Sequence, residues 1–211
     1  MNKNRLALVL FAASVVAMVA GGVIGLGLRD DAAPPAPVAV APTATPAGPQ
    51  PTPTPEPSRA AVQRLQIPRI GVDAAVISIG VDPDGTMQSP SKPMEVGWYR
   101  FAALPGHGGN VVMAGHVDYV NYGAAVFYRL RELQPGDRIV VVLEDGASYA
   151  YEVESLTTYG ANDPVQDAVG PTPSEAVTLI TCTGAFSYAT REYDRRLVVR
   201  AHLAQTAAAA P

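Results

Sequence analysis

Ten of the 20 prolines in this 211-residue chain fall between Pro34 and Pro57, and that stretch decides how much of the chain can fold. Around them stand mostly Ala and Thr, with almost no large apolar side chain. A segment of that composition cannot bury enough surface to offset its conformational entropy. Its Pro-x-Pro spacing, as in Pro51-Thr52-Pro53-Thr54-Pro55, favours extended polyproline II. Residues 29–60 are therefore read as a disordered linker. Before it, Leu6 to Leu28 carries no charge, which is the length needed to cross a bilayer as a helix. Cleaved signal peptides have a shorter apolar core of about 7–15 residues and a small-x-small exit, and no clear Ala-x-Ala closes this one. The expectation is an uncleaved anchor over 6–28, a cytoplasmic N-terminus over 1–5 with Lys3 and Arg5, and everything after the anchor outside the cell. What remains is one folded domain, 61–205, followed by an Ala-rich tail, 206–211.

The domain reads as strands. Val62–Ile70 alternates in polarity, with Pro68 marking an edge or a bend. Val72–Ile79 follows Gly71, and Asp82-Pro83-Asp84-Gly85 is a turn. Asn110–Ala114 is a short buried run. Arg138–Leu143 and Ser148–Thr158, separated by Glu144-Asp145-Gly146, form a hairpin. Val177–Cys182 and Leu197–Leu203 complete the strands. Ala125–Leu133 is the one predicted short helix, ended by Pro135-Gly136. Many short strands with frequent turns predict an all-β fold with short helices, closed or nearly closed into a barrel. A net charge of −4 with no basic stripe excludes nucleic acid as a partner.

Chemistry narrows to few residues. One cysteine, Cys182, cannot form an internal disulfide, so it is buried and inert, paired between chains, or reactive. It ends an apolar run and precedes small, polar turn residues. His116 occupies the same kind of position after Val111–Ala114, whereas His107 lies in a glycine-rich loop and His202 near the last strand's end. An imidazole brought near Cys182 could activate the thiol and protonate a leaving amine. Acyl transfer also needs a group for the oxyanion, and the stretch Arg191–Ala201 (REYDRRLVVRA) supplies arginines where the final strand begins. Three scattered histidines and one cysteine make no closed zinc site, and there is no G-x-S-x-G elbow or phosphate-binding glycine loop. Two other readings stay open on these residues: a non-catalytic surface module with an inert Cys182, and a cysteine peptidase that uses water as acceptor.

Three segments together resemble the sortases, cysteine transpeptidases of Gram-positive cell surfaces, and most of all their class F branch. They are GNVVMAGHVD with His116, AVFYRLREL-QPGDRIVV, and TLITCTG with Cys182, over roughly residues 62–203. The resemblance implies a closed eight-stranded sortase-type β-barrel. It implies cleavage of a Leu-Pro-X-Thr-Gly-like sorting signal between Thr and Gly, a thioester on Cys182, and transfer to a peptidoglycan-precursor amine. The partners would be the sorting-signal peptides of secreted surface proteins, that amine, and the membrane through the N-terminal helix. Carried over, Cys182 is the nucleophile, His116 the general acid/base, and Thr181 helps shape the substrate groove. No metal or organic cofactor is required by this chemistry. Arg196 is chosen over Arg195 for the oxyanion, because in a strand it shares a face with Asp194 while Arg195 points away. The sequence departs from the class F pattern here, reading Tyr193-Asp194-Arg195-Arg196 where a Tyr-Arg-Asp-Asn run is expected. Asp118 is read as capping a loop.

Overall fold

The computed structural model describes residues 56–207 apart from residue 165. The expected anchor lies outside the described residues, and among those described no helix is long and apolar enough to cross a membrane. In chain order the strands are β1 (Val62–Ile67), β2 (Val72–Ile79), β3 (Val96–Tyr99), β4 (Asn110–Gly115), β5 (Asp118–Tyr119), β6 (Gly123–Ala124), β7 (Arg138–Leu143), β8 (Ser148–Gly160), β9 (Ala176–Ser187) and β10 (Glu192–Ala207). A one-turn helix, α1 (Gln166–Val169), lies between β8 and β9. Eight strands close into a barrel in the order β1-β2-β3-β4-β9-β10-β8-β7, and β5 with β6 forms a separate two-stranded ribbon. The pairs β2–β3 and β4–β9 are parallel and the others antiparallel.

The alternation of side chains along a strand builds the core. Odd-numbered positions of the long strands face inward and are buried together: Val111 and Met113, Ile139 and Val141, Tyr149 and Tyr151, Val177 and Leu179, Leu197 and Val199. Each fully buried side chain of this kind contributes about 1.5–3 kcal/mol relative to exposure. Even-numbered positions of β4 and β9 face outward. There Val112, with half-buried Ala114 and Ile180, packs against Ile79, Tyr99 and Val169 in a second apolar cluster. The barrel wall beside this part of the β4–β9 seam is thus apolar on both sides, while buried Asn110 and Thr178 lie on the outer face nearer the start of the two strands.

The expected elements need correction in four places. The predicted helix over Ala125–Leu133 is a series of tight turns ending in a 3-10 turn at Leu130–Glu132. Its backbone bonds span three residues, as in Tyr128 N–H to the Ala125 carbonyl (3.0 Å) and Leu130 N–H to the Phe127 carbonyl (3.1 Å). Consecutive Val126 and Phe127 are both buried against Gly115. The strand expected over Val62–Ile70 ends at Ile67, where Pro68 starts a 3-10 turn closed by Gly71 at φ +69°. β3 was not anticipated: its four residues, Val96–Tyr99, are too short for a periodic signal. β9 and β10 are longer than expected, and β10 runs to Ala207, two residues into the stretch read as a tail.

Candidate active site

The parallel pairing of β4 with β9 sets the level of the two residues singled out first. Ala114 stands opposite Ile180. His116 and Cys182 each lie two residues further along, past the last paired positions. Both therefore stand at the same height just past the β4–β9 pairing, whose strands lie about 4.8 Å apart. Cys182, still within β9, continues its even-numbered outer face beyond half-buried Ile180, and His116 directly follows the end of β4. On the other side of β9, Arg196 is the cross-strand partner of Cys182, and Arg195 is the partner of Thr183. Cα atoms so paired lie roughly 5 Å apart. Arg196 is half-buried and Arg195 exposed. The structure thus brings Cys182 between His116 and Arg196, and leaves Arg195 outside that row.

Each side chain has a local support. Beyond β4, the His116 carbonyl accepts from Phe127 N–H (2.9 Å), and the Val117 carbonyl accepts from Ala125 N–H (3.0 Å). Gly115 permits this approach: a Cβ there would stand 2.7 Å from both Phe127 and Val126 side-chain carbons. The His116 ring packs edge-on against Tyr119 with centroids 5.1 Å apart. Its Nε2 lies 2.7 Å from the Pro90 carbonyl. A carbonyl only accepts, so Nε2 carries the hydrogen and Nδ1 is the atom left to take up a proton. The neighbouring Ser91 carbonyl accepts from the Tyr119 hydroxyl at 2.9 Å, so the connection between β2 and β3 braces this loop at two points.

Arg196 Nη1 donates to the carbonyls of Tyr193 (2.9 Å) and Arg195 (3.0 Å). Past Cys182, β9 bulges: Arg195 pairs with Thr183 but Tyr193 with Phe186, which leaves an extra residue on β9. Gly184, at φ +89°, makes the bulge, and Ala185 N–H donates to Asp194 Oδ1 at 2.7 Å. Thr181 does not line the open face. It is 4 % exposed, and its hydroxyl donates to the Gly115 carbonyl at 2.8 Å, which ties β9 to the end of β4. Asp118 is not a simple loop cap either; it accepts a hydrogen bond from the Tyr193 hydroxyl on β10.

Cys182 is free and half-buried. Burial pushes its thiol above the ordinary range; the Arg196 guanidinium opposes this, while Asp118 and Glu192 add to it. Tyr193 is pushed up to about 12, first by burial and then by its bond to Asp118. His107 and His202 are both exposed. His107 Nε2 lies 2.9 Å from the Ser58 carbonyl. Sequence reasoning missed Pro90 and the role of Tyr193, because a backbone carbonyl has no residue-type signal and one tyrosine among nine has no distinguishing pattern.

Residues 65–204 match a family model described as "Sortase domain". Among solved structures, similarity extends to sortase A from Corynebacterium diphtheriae, a lid mutant, with 28% identity, a TM-score of 0.52 and coverage of 72% of this chain and 76% of that one. It extends also to sortase C-1 from Actinomyces oris, with 26% identity, a TM-score of 0.54 and coverage of 68% and 73%. A Clostridium perfringens sortase D5 transpeptidase shares the fold at 24% identity and a TM-score of 0.52, over 68% of this chain and 79% of its own. Comparison with curated proteins gave no match.

Proposed function

The chain belongs to the sortase family of cysteine transpeptidases, and from that premise we propose that it is a class F-type sortase acting outside the cell. In this reading residues 6–28 anchor it in the membrane and residues 29–60 hold the 61–205 domain away from the bilayer. It cleaves a Leu-Pro-X-Thr-Gly-like sorting signal of secreted surface proteins between Thr and Gly, and joins the new Thr carboxyl end to a peptidoglycan-precursor amine. The observation that carries the residue roles is the row His116–Cys182–Arg196, set by strand register at one end of the barrel.

The chemistry follows from those positions. With the half-buried thiol held above its ordinary range, Sγ attacks the Thr carbonyl as its proton passes to His116 Nδ1. The carbonyl oxygen becomes an oxyanion, which the Arg196 guanidinium stabilises. Collapse breaks the Thr–Gly C–N bond, the His116 proton goes to the leaving glycine amine, and a thioester remains on Cys182. The acceptor amine then attacks the thioester, His116 takes its proton, and the thiol is restored. In this reading the half-buried Ala114 and Ile180, at the edge of the outer apolar cluster, meet the Leu-Pro segment. Thr181 acts from beneath, by holding the Cys182 strand to Gly115.

The test is mass spectrometry of the protein with a Leu-Pro-X-Thr-Gly peptide and a limiting amine. The expected result is a thioester on Cys182 that disappears as amine is added. A folded protein that forms no adduct, and whose Cys182 resists iodoacetamide, refutes the reading. A thioester that water clears as fast as any amine makes it a peptidase.

A further inference from the structure

Tyr193 touches both arms of the site. Its carbonyl accepts from Arg196 Nη1 at 2.9 Å. Its hydroxyl donates to Asp118 Oδ2. Asp118 opens the β5–β6 ribbon only two residues after His116, so that bond ties the His116 loop to the strand that bears Arg196. Cys182 lies on β9, the strand paired with β10 at that level. The Tyr193 ring is itself braced against Phe186 of β9, with centroids 5.1 Å apart. We propose that Asp118 and Tyr193 are positioning residues: their hydrogen bond clasps the His116 loop to β10 and fixes His116 and Arg196 relative to each other across Cys182. The proposal rests on the acyl-transfer reading for its kinetic consequence, but not for its effect on the thiol.

The charges around the thiol give the clasp a second signature. Cys182 is faced by Arg196 and Glu192 on β10, by Asp118 on β5 and by the Tyr193 phenol, and the β4–β9 register sets His116 at its level. The hydroxyl of Tyr193 partly neutralises Asp118 by donating to it. Taking that donor away leaves a freer carboxylate near Cys182 and lets His116 drift, and both disfavour the thiolate. Replacing Asp118 by Asn does the reverse. The amide oxygen still accepts from the phenol, so the clasp holds, while the negative charge that opposes thiolate formation is gone.

The experiment uses the full-length protein in detergent and four variants: Tyr193→Phe, Asp118→Asn, Asp118→Ala, and Tyr193→Phe combined with Asp118→Ala. Iodoacetamide alkylation of Cys182 across pH reads the thiol without any peptide substrate. The expected midpoint moves up in Tyr193→Phe and down in Asp118→Asn. In peptide turnover, Tyr193→Phe and Asp118→Ala each lower kcat about tenfold or more with little change in KM, because geometry at the reacting atoms is what is lost. The double variant is no slower than Asp118→Ala, and Asp118→Asn recovers most of what Asp118→Ala loses. Midpoints that move together, additive losses, or an Asp118→Asn as slow as Asp118→Ala overturn the clasp. A protein that shows the opposed midpoints but never cleaves peptide keeps the clasp and loses the transpeptidase reading. One that turns over normally without the opposed midpoints does the opposite.

Discussion

Replacing Asn110 by Ala removes a buried junction whose cost can be worked out bond by bond. Asn110 is 3 % exposed and stands at the start of β4. Its amide donates to the carbonyls of Ala168 and Gly170, both at 3.0 Å. Its Oδ1 accepts from the hydroxyl of Thr178, on β9, at 2.7 Å. These bonds pin α1 and the segment after it onto the barrel's outer face. The losses are unequal. Ala168 keeps a partner in Arg200 Nη2 at 2.9 Å, and the half-buried Gly170 can turn to water. Thr178 is 0 % exposed and would be stranded. A stranded buried hydroxyl costs about 1–3 kcal/mol and each of the two other lost bonds about 1, which sums to about 3–5 kcal/mol. That is a large share of the stability of a domain this size. Thr178→Val alone strands only an acceptor and should cost about 1–2 kcal/mol. The double variant leaves neither group unpaired, so it should be milder than the sum by about 1–2 kcal/mol. Urea unfolding followed by the fluorescence of Trp98, the only tryptophan, reads all three; its indole N–H donates to the Ala103 carbonyl near this junction. Additive losses, or an Asn110→Ala that costs under about 1 kcal/mol, would refute the reasoning, since water would then satisfy Thr178.

Other outcomes follow from the site. Arg196→Ala should lower kcat about a hundredfold or more with little effect on KM, as for loss of one oxyanion donor, whereas Arg195→Ala should leave it nearly unchanged; steady-state peptide cleavage separates them. The alkylation rate of Cys182 in the unmodified protein should keep rising above the pH where an ordinary thiol levels off, because burial raises its pKa. In Arg196→Ala that profile moves further up, since the opposing cation is gone. Gly115→Ala places a methyl 2.7 Å from Val126 and Phe127 side-chain carbons. It should cost about 1–3 kcal/mol in thermal or urea unfolding, and it displaces the His116 backbone held by Phe127.

The periodicity of the chain reported some elements faithfully because their environments are two-sided. In β7 and β8, Ile139, Val141, Tyr149 and Tyr151 face the core while Arg138 and Glu152 face water, so the hairpin was legible. β3 lacks that contrast: three of its four residues are buried. The Ala125–Leu133 stretch failed for a different reason. Its apolar spacing is compatible with a helix, but the close packing that Gly115 allows places Val126 and Phe127 side by side in the interior. Tertiary contact then overrides local propensity.

The site divides along the same line, between what a strand carries and what pairing decides. Cys182 and His116 were legible as residues delivered by apolar runs to a rim, and period-two alternation separated Arg196 from Arg195. None of that says that β4 and β9 are neighbours, or that their parallel register lifts both residues to one level. The same gap hides Thr181, whose inward side chain is decided by the parity that sends Cys182 outward. It also hides the bond between Asp118 and Tyr193, which lie 75 residues apart. A hydrogen bond across that separation leaves no periodic trace in either segment. In this barrel, strand pairing sets the order His116, Cys182, Arg196, and side chains such as Tyr193 and Thr181 hold that order in place.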